Sequence, residues 1–407
     1  MTGTAPNGTP PNGASPNGAS PTGTRPTVAL VGAAGHGAAH LKRLVDLSAA
    51  GRIRLAGVCD VRPVPLPDGV PAFTDHRRLL AEIAPQVLVI CTPPHTHLPI
   101  ALDALATGCD LLLEKPPVLS LAEHAALARA VADSGRACQV GFQALGSPAL
   151  AQLTGAIAAG RLGTVGSVAG VGAWWRPDAY FTRAPWTARR VLDGRPVLDG
   201  AIANPFAHAL MDCLVIASSA GAGRPEAFAV ERYRVLDQEV EDTACLRLRL
   251  AGGFGVTLAV SLRSAAFIPG DITVTGTGGD AVLEYPTDRL RLPGQSGPVP
   301  VPGRIGLLEN LLDHRATGVP LLAPLRVTAP FTAVVDALAA GPPPDRIAPA
   351  HLTRYEGGAA IDGIATVVRR AGQELASFAE LGVPWATGAW RSKVSTMEDC
   401  DAKAEPG

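Results

Sequence analysis

Val28-Ala29-Leu30-Val31-Gly32-Ala33-Ala34-Gly35-His36-Gly37 runs four apolar residues into a glycine-rich turn, and residues 38–50 continue it with helical spacing. A short apolar run ending at glycine reads as a buried strand followed by a tight turn. Outward from there the pattern repeats. Residues 55–59 are apolar and end at Asp60. Residues 76–83 read as helix, and 87–91 as a strand closed by Thr92-Pro93-Pro94. Helix is expected at 98–107, strand at 110–113, helix at 121–134 and strand at 138–142. Such alternation predicts an α/β domain with a doubly wound parallel sheet covered on both faces.

After about residue 148 the texture changes. One more helix is expected at 149–159, then strands at 165–175, 227–236, 243–250, 255–262, 272–276 and 281–284 with few helices between. Residues 243–250 place Ala244, Leu246, Leu248 and Leu250 on one side and Cys245, Arg247 and Arg249 on the other, which suits an antiparallel sheet with one wet face. Later helices are expected at 307–317, 330–340 and 355–377. The expected organisation is an α/β domain over 27–148 and an α+β domain over 149–387 with a large, mostly antiparallel sheet. Residues 1–26 repeat Pro-Asn-Gly and lack core formers, so they read as a disordered tail; residues 388–407 read as a loose end.

The chain has 407 residues, 47% of them hydrophobic, and a net charge of −1. That supports two cores and, with no basic stripe, argues against nucleic acid as a partner. No apolar run approaches the ~20 residues of a membrane span, so no membrane partner is expected. The first residues lack the charged start and apolar centre of a secretory signal. Seven scattered cysteines without a C-x-x-C argue for a reducing, cytoplasmic setting rather than disulfides or a zinc site. No metal is expected.

The turn Gly32-Ala33-Ala34-Gly35-His36-Gly37 is a G-x-G-x-x-G fingerprint with Ala34 at its middle glycine. In that fingerprint the first glycine allows the turn, the second lets backbone approach a pyrophosphate, and the third lets helix pack on strand. Alanine crowds the middle position, and Gly35 can supply slack. Asp60, at the end of the second strand, sits where an acid binds ribose hydroxyls. Its charge favours NAD over NADP, although Arg62 beside it could pair with a 2′-phosphate. An ordinary turn aspartate is the plainer reading of Asp60.

Only four lysines occur: Lys42, Lys115, Lys393 and Lys403. Lys115 follows the apolar run Cys109-Asp110-Leu111-Leu112-Leu113-Glu114, at the carboxyl end of an expected strand, where open α/β sheets bind ligands. An amine is compact and shifts its pKa readily on burial. Lys115 is therefore the first catalytic candidate, with a surface ion pair to Glu114 as the alternative.

These motifs, with His40, Val58-Cys59-Asp60, Cys91-Thr92-Pro93-Pro94-His95-Thr96-His97, Glu114-Lys115-Pro116 and Val140-Gly141-Phe142-Gln143, resemble the glucose–fructose oxidoreductase/inositol dehydrogenase (Gfo/Idh/MocA) family over residues 27–385. The resemblance implies a Rossmann domain, an α+β domain whose sheet mediates homodimers or homotetramers, and hydride transfer between nicotinamide and a sugar or cyclitol hydroxyl. It places Thr92, Pro93 and His97 beside the nicotinamide, with Glu114 and Gln143 in the cofactor site and Lys115 on the reacting oxygen.

The family's second element is an aspartate four residues before a histidine. Here His208 is preceded at that spacing by Asn204, while Asp199 lies further upstream. Asn204-Pro205 also suits a plain helix start, so either Asn204 or Asp199 holds the acid's place. Asp212, at i+4, could orient the imidazole or face solvent. An imidazole suits proton exchange at neutral pH, and an ammonium stabilises developing alkoxide charge; a core histidine is the alternative for His208. The stretch from Trp174 to Trp186 holds three of five tryptophans, and Trp174, Arg176, Tyr180 and Trp186 read as a carbohydrate wall or as a subunit contact. Arg189, Arg190 and Asp193 could edge a lid. Two other functions fit the same residues: NAD-assisted glycoside cleavage without net redox, and a non-catalytic NAD-binding sensor.

Overall fold

The computed structural model describes residues 25–192 and 194–396. Asp193, residues 1–24 and residues 397–407 lie outside the described residues, so most of both expected tails does too.

The first sheet comprises β1 (Thr27–Val31), β2 (Arg54–Cys59), β3 (Ala72–Phe73), β4 (Val87–Ile90), β5 (Asp110–Leu113) and β6 (Cys138–Val140), all parallel, in the order β3-β2-β1-β4-β5-β6. Strands β4 and β5 are buried throughout, which explains their unbroken apolar runs. Helices α1 (Gly37–Ala49), α2 (His76–Ile83), α3 (His97–Ala106) and α4 (Leu121–Ser134) make the crossovers. Helix α4 begins where the Ser120 hydroxyl accepts from the Glu123 N–H and ends at left-handed Gly135. The chain winds outward from β1 in one direction and from β4 in the other. The crevice beyond their carboxyl ends is where such sheets take ligands, and the motifs at 32–37, 91–97 and 114–116 all open there.

Beyond it come α5 (Pro148–Ala158), β7 (Val165–Trp175), the short hairpin β8 (Val191–Leu192) and β9 (Arg195–Pro196), and α6 (Ala207–Ser219). Strands β10 (Pro225–Arg234), β11 (Thr243–Leu250), β12 (Gly255–Ser261), β13 (Arg263–Gly276), β14 (Ala281–Glu284), β15 (Arg289–Arg291) and β16 (Val299–Pro300) follow. The chain closes with α7 (Leu307–Thr317), α8 (Ala329–Ala339), β17 (Asp345–Arg346), β18 (Leu352–Tyr355), β19 (Gly358–Ile361), α9 (Ile364–Glu374) and β20 (Trp390–Lys393). Nine of these strands form the path β16-β15-β14-β13-β7-β12-β11-β10-β17, with β20 added on β10. Pairing is antiparallel except at β7–β12 and β10–β17.

The sheet is sandwiched. A Cβ on Gly172 would strike the Phe206 ring just before α6, whereas a Cβ on Gly372 of α9 would strike Val171, on the opposite face. Cys245 is consequently buried in a second apolar cluster beneath α9 rather than facing water. Only Arg249 of the expected wet side is exposed, and Arg247 pairs with Glu380 at 2.6 Å.

Two expectations are corrected. Residues 355–377 are not one helix. Gly357, at φ +80°, turns the chain between β18 and β19, and left-handed Gly363 delays α9 to Ile364. Residues 390–393, expected to be loose, pair with β10, and Trp390 packs edge-on against Phe228. Helix α7 packs against β5 and β6 of the first sheet, and α8 bridges α4 on one side and α6 and β10 on the other. Arg43–Glu309, Arg52–Asp313 and Arg315–Asp110 tie α7 to the first domain, and the Val140 N–H donates to Ala323.

Candidate active site

The glycine turn is built around close contacts. A Cβ on Gly32 would lie 2.3 Å from the Cys91 carbonyl oxygen, and one on Gly37 would lie 2.0 Å from that of Gly32. Gly35, at φ +60°, has open space where a Cβ would go. The Asp60 carboxylate accepts from the Ala33 and Ala34 amides at 2.8 and 3.0 Å and from the Arg62 amide at 3.0 Å. It therefore shapes the loop as well as presenting charge beside it. Helix α1 has no side-chain cap at its start, and its Gly37, Ala38 and Ala39 N–H groups donate back to the Ala34, Gly35 and His36 carbonyls at 3.0, 3.2 and 3.0 Å. Tight glycines, an uncapped helix end and an acid after β2 fit a dinucleotide.

Glu114 is the hub beneath this loop. Its Oε1 meets His40 Nε2 at 2.8 Å, the Gln143 side-chain amide at 3.0 Å and His36 Nε2 at 3.7 Å, while Oε2 accepts from the Lys115 N–H. Burial favours the neutral acid, but hydrogen bonds from His36 and His40 and their charge outweigh it and hold the pKa well below the usual range. The same hydrogen bond raises His36. Gly141 leaves room for this carboxylate, since a Cβ there would come within 2.7 Å of it.

Lys115 projects from the end of β5, its peptide to Pro116 cis. Its Nζ donates to Asn204 Oδ1 at 2.5 Å and to the Asn204 carbonyl at 3.1 Å. The Asn204 amide in turn donates to Asp199 Oδ1 at 2.5 Å. Asp199 Oδ2 accepts from the Ala188 N–H at 2.9 Å and lies 3.7 Å from Arg183. Ala188 and Leu198, which precedes Asp199, both have positive φ, 57° and 41°. Holding non-glycine residues there costs on the order of 1–3 kcal/mol each, and it aims this loop at the lysine. Burial lowers the Lys115 pKa and raises that of Asp199. Asn204 thus stands next to the ammonium and Asp199 one hydrogen bond behind.

His208 lies in the first turn of α6, edge-on to Phe142 at 5.8 Å between centroids. Burial first, then the Lys115 charge, pushes its pKa down to about 3, so the ring is neutral. Its Nδ1 has no hydrogen-bond partner among the described residues, and neither does either oxygen of the fully buried Asp212. Asp212 therefore neither hydrogen-bonds the imidazole nor faces solvent. Burial also raises the Asp212 pKa well above the ordinary value, because it penalises the carboxylate.

His97 lies in the interior. It is 1% exposed, with Nε2 2.9 Å from the Thr92 carbonyl and Nδ1 2.9 Å from that of Pro116. It ties the Thr92-Pro93 turn to the Lys115-Pro116 loop from below. Thr92 accepts from the Thr96 hydroxyl, and both it and Pro93 keep partial exposure.

The aromatic stretch forms a ladder. The Arg176 guanidinium lies 5.1 Å from Trp174 and 5.3 Å from Tyr180; Arg183 lies 3.8 Å from Tyr180 and 5.6 Å from Trp186. Trp174 is anchored by its indole N–H to Pro269 and by the Phe206 ring. Sequence reading passed over Arg183, which joins this ladder to Asp199, although it sits within the aromatic stretch. Arg304, also missed, donates to the Gln143 carbonyl and pairs with Asp288; nothing in its local sequence signals a partner so far upstream.

A six-stranded parallel Rossmann sheet, a tight glycine turn and a lysine on the switch-point crevice define a dinucleotide-binding oxidoreductase. Residues 27–142 match the family model described as oxidoreductase family, NAD-binding Rossmann fold, and residues 150–282 match the GFO/IDH/MocA C-terminal domain. The chain belongs to the Gfo/Idh/MocA family, and its first domain is an NAD-binding domain. It is 35% identical over 89 residues to scyllo-inositol 2-dehydrogenase (NAD(+)) of Bacillus subtilis, a match spanning 22% of this chain and 26% of that enzyme. Its fold is similar to WlbA dehydrogenase of Bordetella pertussis, solved with NADH and UDP-GlcNAcA, at TM-score 0.65, 22% identity and coverage of 77% and 95% of the two chains. It is similar too to GenD2 of gentamicin A biosynthesis, solved with NAD, at TM-score 0.64, 23% identity and coverage of 80% and 96%. No described helix is long and apolar enough to cross a membrane, and the six described cysteines are free.

Proposed function

We propose that the protein transfers hydride between NAD and a hydroxyl-bearing carbon of a neutral sugar, sugar derivative or cyclitol. The observation that carries this reading is the hydrogen-bonded line Lys115–Asn204–Asp199, which joins the strand end of the dinucleotide domain to the loop before α6. NAD supplies the hydride acceptor. Gly32, Gly35, Gly37 and the start of α1 would hold its pyrophosphate, with Asp60 on the adenosine ribose and Thr92, Pro93, Glu114 and Gln143 around the nicotinamide end. The Asp60 charge beside the loop disfavours a 2′-phosphate, which supports NAD over NADP.

In the oxidative direction the C–H hydrogen leaves with its electron pair and the hydroxyl proton goes to the neutral His208 imidazole. Lys115 stabilises charge on the reacting oxygen, for which it has an N–H to spare beyond its two acceptors on Asn204. The Trp174–Arg176–Tyr180–Arg183–Trp186 ladder offers apolar faces to a sugar ring and donors to its hydroxyls. Oligomer formation through the large sheet belongs to the same reading.

The test is a panel of sugars, nucleotide sugars and inositols with NAD and with NADP, read by nicotinamide absorbance, on the wild type and on K115A and H208A. NAD-linked turnover lost in both variants supports the assignment. Turnover that survives both would rule it out. Aryl glycoside cleavage without net NADH would favour the redox-neutral alternative.

A further inference from the structure

We propose that His36, His40 and Glu114 form a binding site for a divalent ion of the zinc class at the lip of the dinucleotide crevice. Nothing in the local sequence points to one, because the cysteines are scattered and the carboxylate lies 74 residues beyond His40. The two histidines are four residues apart where α1 begins, a spacing that puts both rings on one helix face. One donor atom from each of the three residues lies within 4.8 Å of the other two. A tetrahedral ion with bonds of about 2.0–2.2 Å separates its ligands by roughly 3.3–3.5 Å. The observed 2.8 Å from His40 to Glu114 and 3.7 Å from His36 to Glu114 straddle that spacing.

The set is held as a metal site is held. Lys115 N–H fixes Oε2 of Glu114, and the Gln143 amide fixes Oε1 from behind, the supporting role that outer partners play around metal-bound carboxylates. The Glu114 and His40 side chains are 6% and 13% exposed, whereas His36 is 64% exposed. Two ligands are therefore preplaced, the third can swing by a side-chain rotation, and a fourth position opens to water. Two imidazoles and one carboxylate with an open position is a donor set that zinc accepts.

The proposal does not depend on the catalytic assignment, and its test reads metal rather than turnover. The full chain, freed of dinucleotide and dialysed against chelator, is equilibrated with Zn²⁺ and counted by atomic emission; Co²⁺ serves as the visible probe. The expected result is one ion per chain beyond the count held by H36Q/H40Q/E114Q, with the intense bands of tetrahedral cobalt. Because its ring is largely in solvent, H36Q retains the fold and should weaken cobalt binding about tenfold or more, the loss that even supporting residues produce. Equal zinc counts in the wild type and triple variant, or a cobalt affinity unchanged by H36Q, would overturn the site.

Discussion

Lys115 is the residue on which the chemistry turns, and its surroundings set its proton. Burial lowers its pKa from 10.5, so the alkaline limb of a kcat/KM profile should fall below that value. Replacing it by alanine removes the donor to the reacting oxygen and should cost about 100- to 1000-fold in kcat, measured at saturating NAD. N204D makes a sharper test. A carboxylate against the ammonium favours the charged amine, so the alkaline limb should move up. An unmoved limb in N204D would remove Lys115 from the profile. Sequence identified Lys115 because lysine is so rare in this chain. It left Asn204 and Asp199 as rivals, and three-dimensional placement shows them in series, which spacing along a chain cannot reveal.

At the scale of elements, the glycine turn and the strand ends that face it were readable because their constraints are local. Gly141 illustrates a local residue with a distant reason: its missing Cβ makes room for Glu114. G141A should destabilise the fold by about 1–3 kcal/mol, as overpacking does, and weaken NAD binding; denaturant midpoints and NAD titration check both. Strand β20 was not readable, since Trp390-Arg391-Ser392-Lys393 carries little strand signal and gains order from pairing with β10. Trp390 is half-buried between Phe228 and Arg232. W390A should therefore lower stability by less than the roughly 3–5 kcal/mol of a fully buried tryptophan, seen in the same denaturant midpoint.

Across the whole molecule, the buried acid Asp212 makes stability depend on pH. Its pKa is raised above 3.8 in the folded protein, so between 3.8 and the raised value the folded state binds more protons than the unfolded one. Its contribution is complete below 3.8 and is lost as pH rises towards the folded pKa. D212N, which cannot ionise, should gain stability over the wild type progressively as pH increases through that window. Thermal melts across pH measure this; a constant difference between the two proteins would refute it. His208 acts in the opposite sense. Its pKa of about 3 against 6.5 means the unfolded state takes up the proton first, so stability falls as pH drops below 6.5.

By itself the sequence determined the alternating first domain, the strand-rich second domain, the cofactor turn and the lysine at the end of β5, because periodicity, glycine placement and strand ends are properties of neighbouring residues. The tertiary structure alone decided that His97 is buried, that Asp212 makes no hydrogen bond to His208, that α7 packs on β5 and β6, and that His36, His40 and Glu114 converge. Each of those depends on burial and on contacts between residues far apart in the chain, which only the packed molecule brings within a few ångströms.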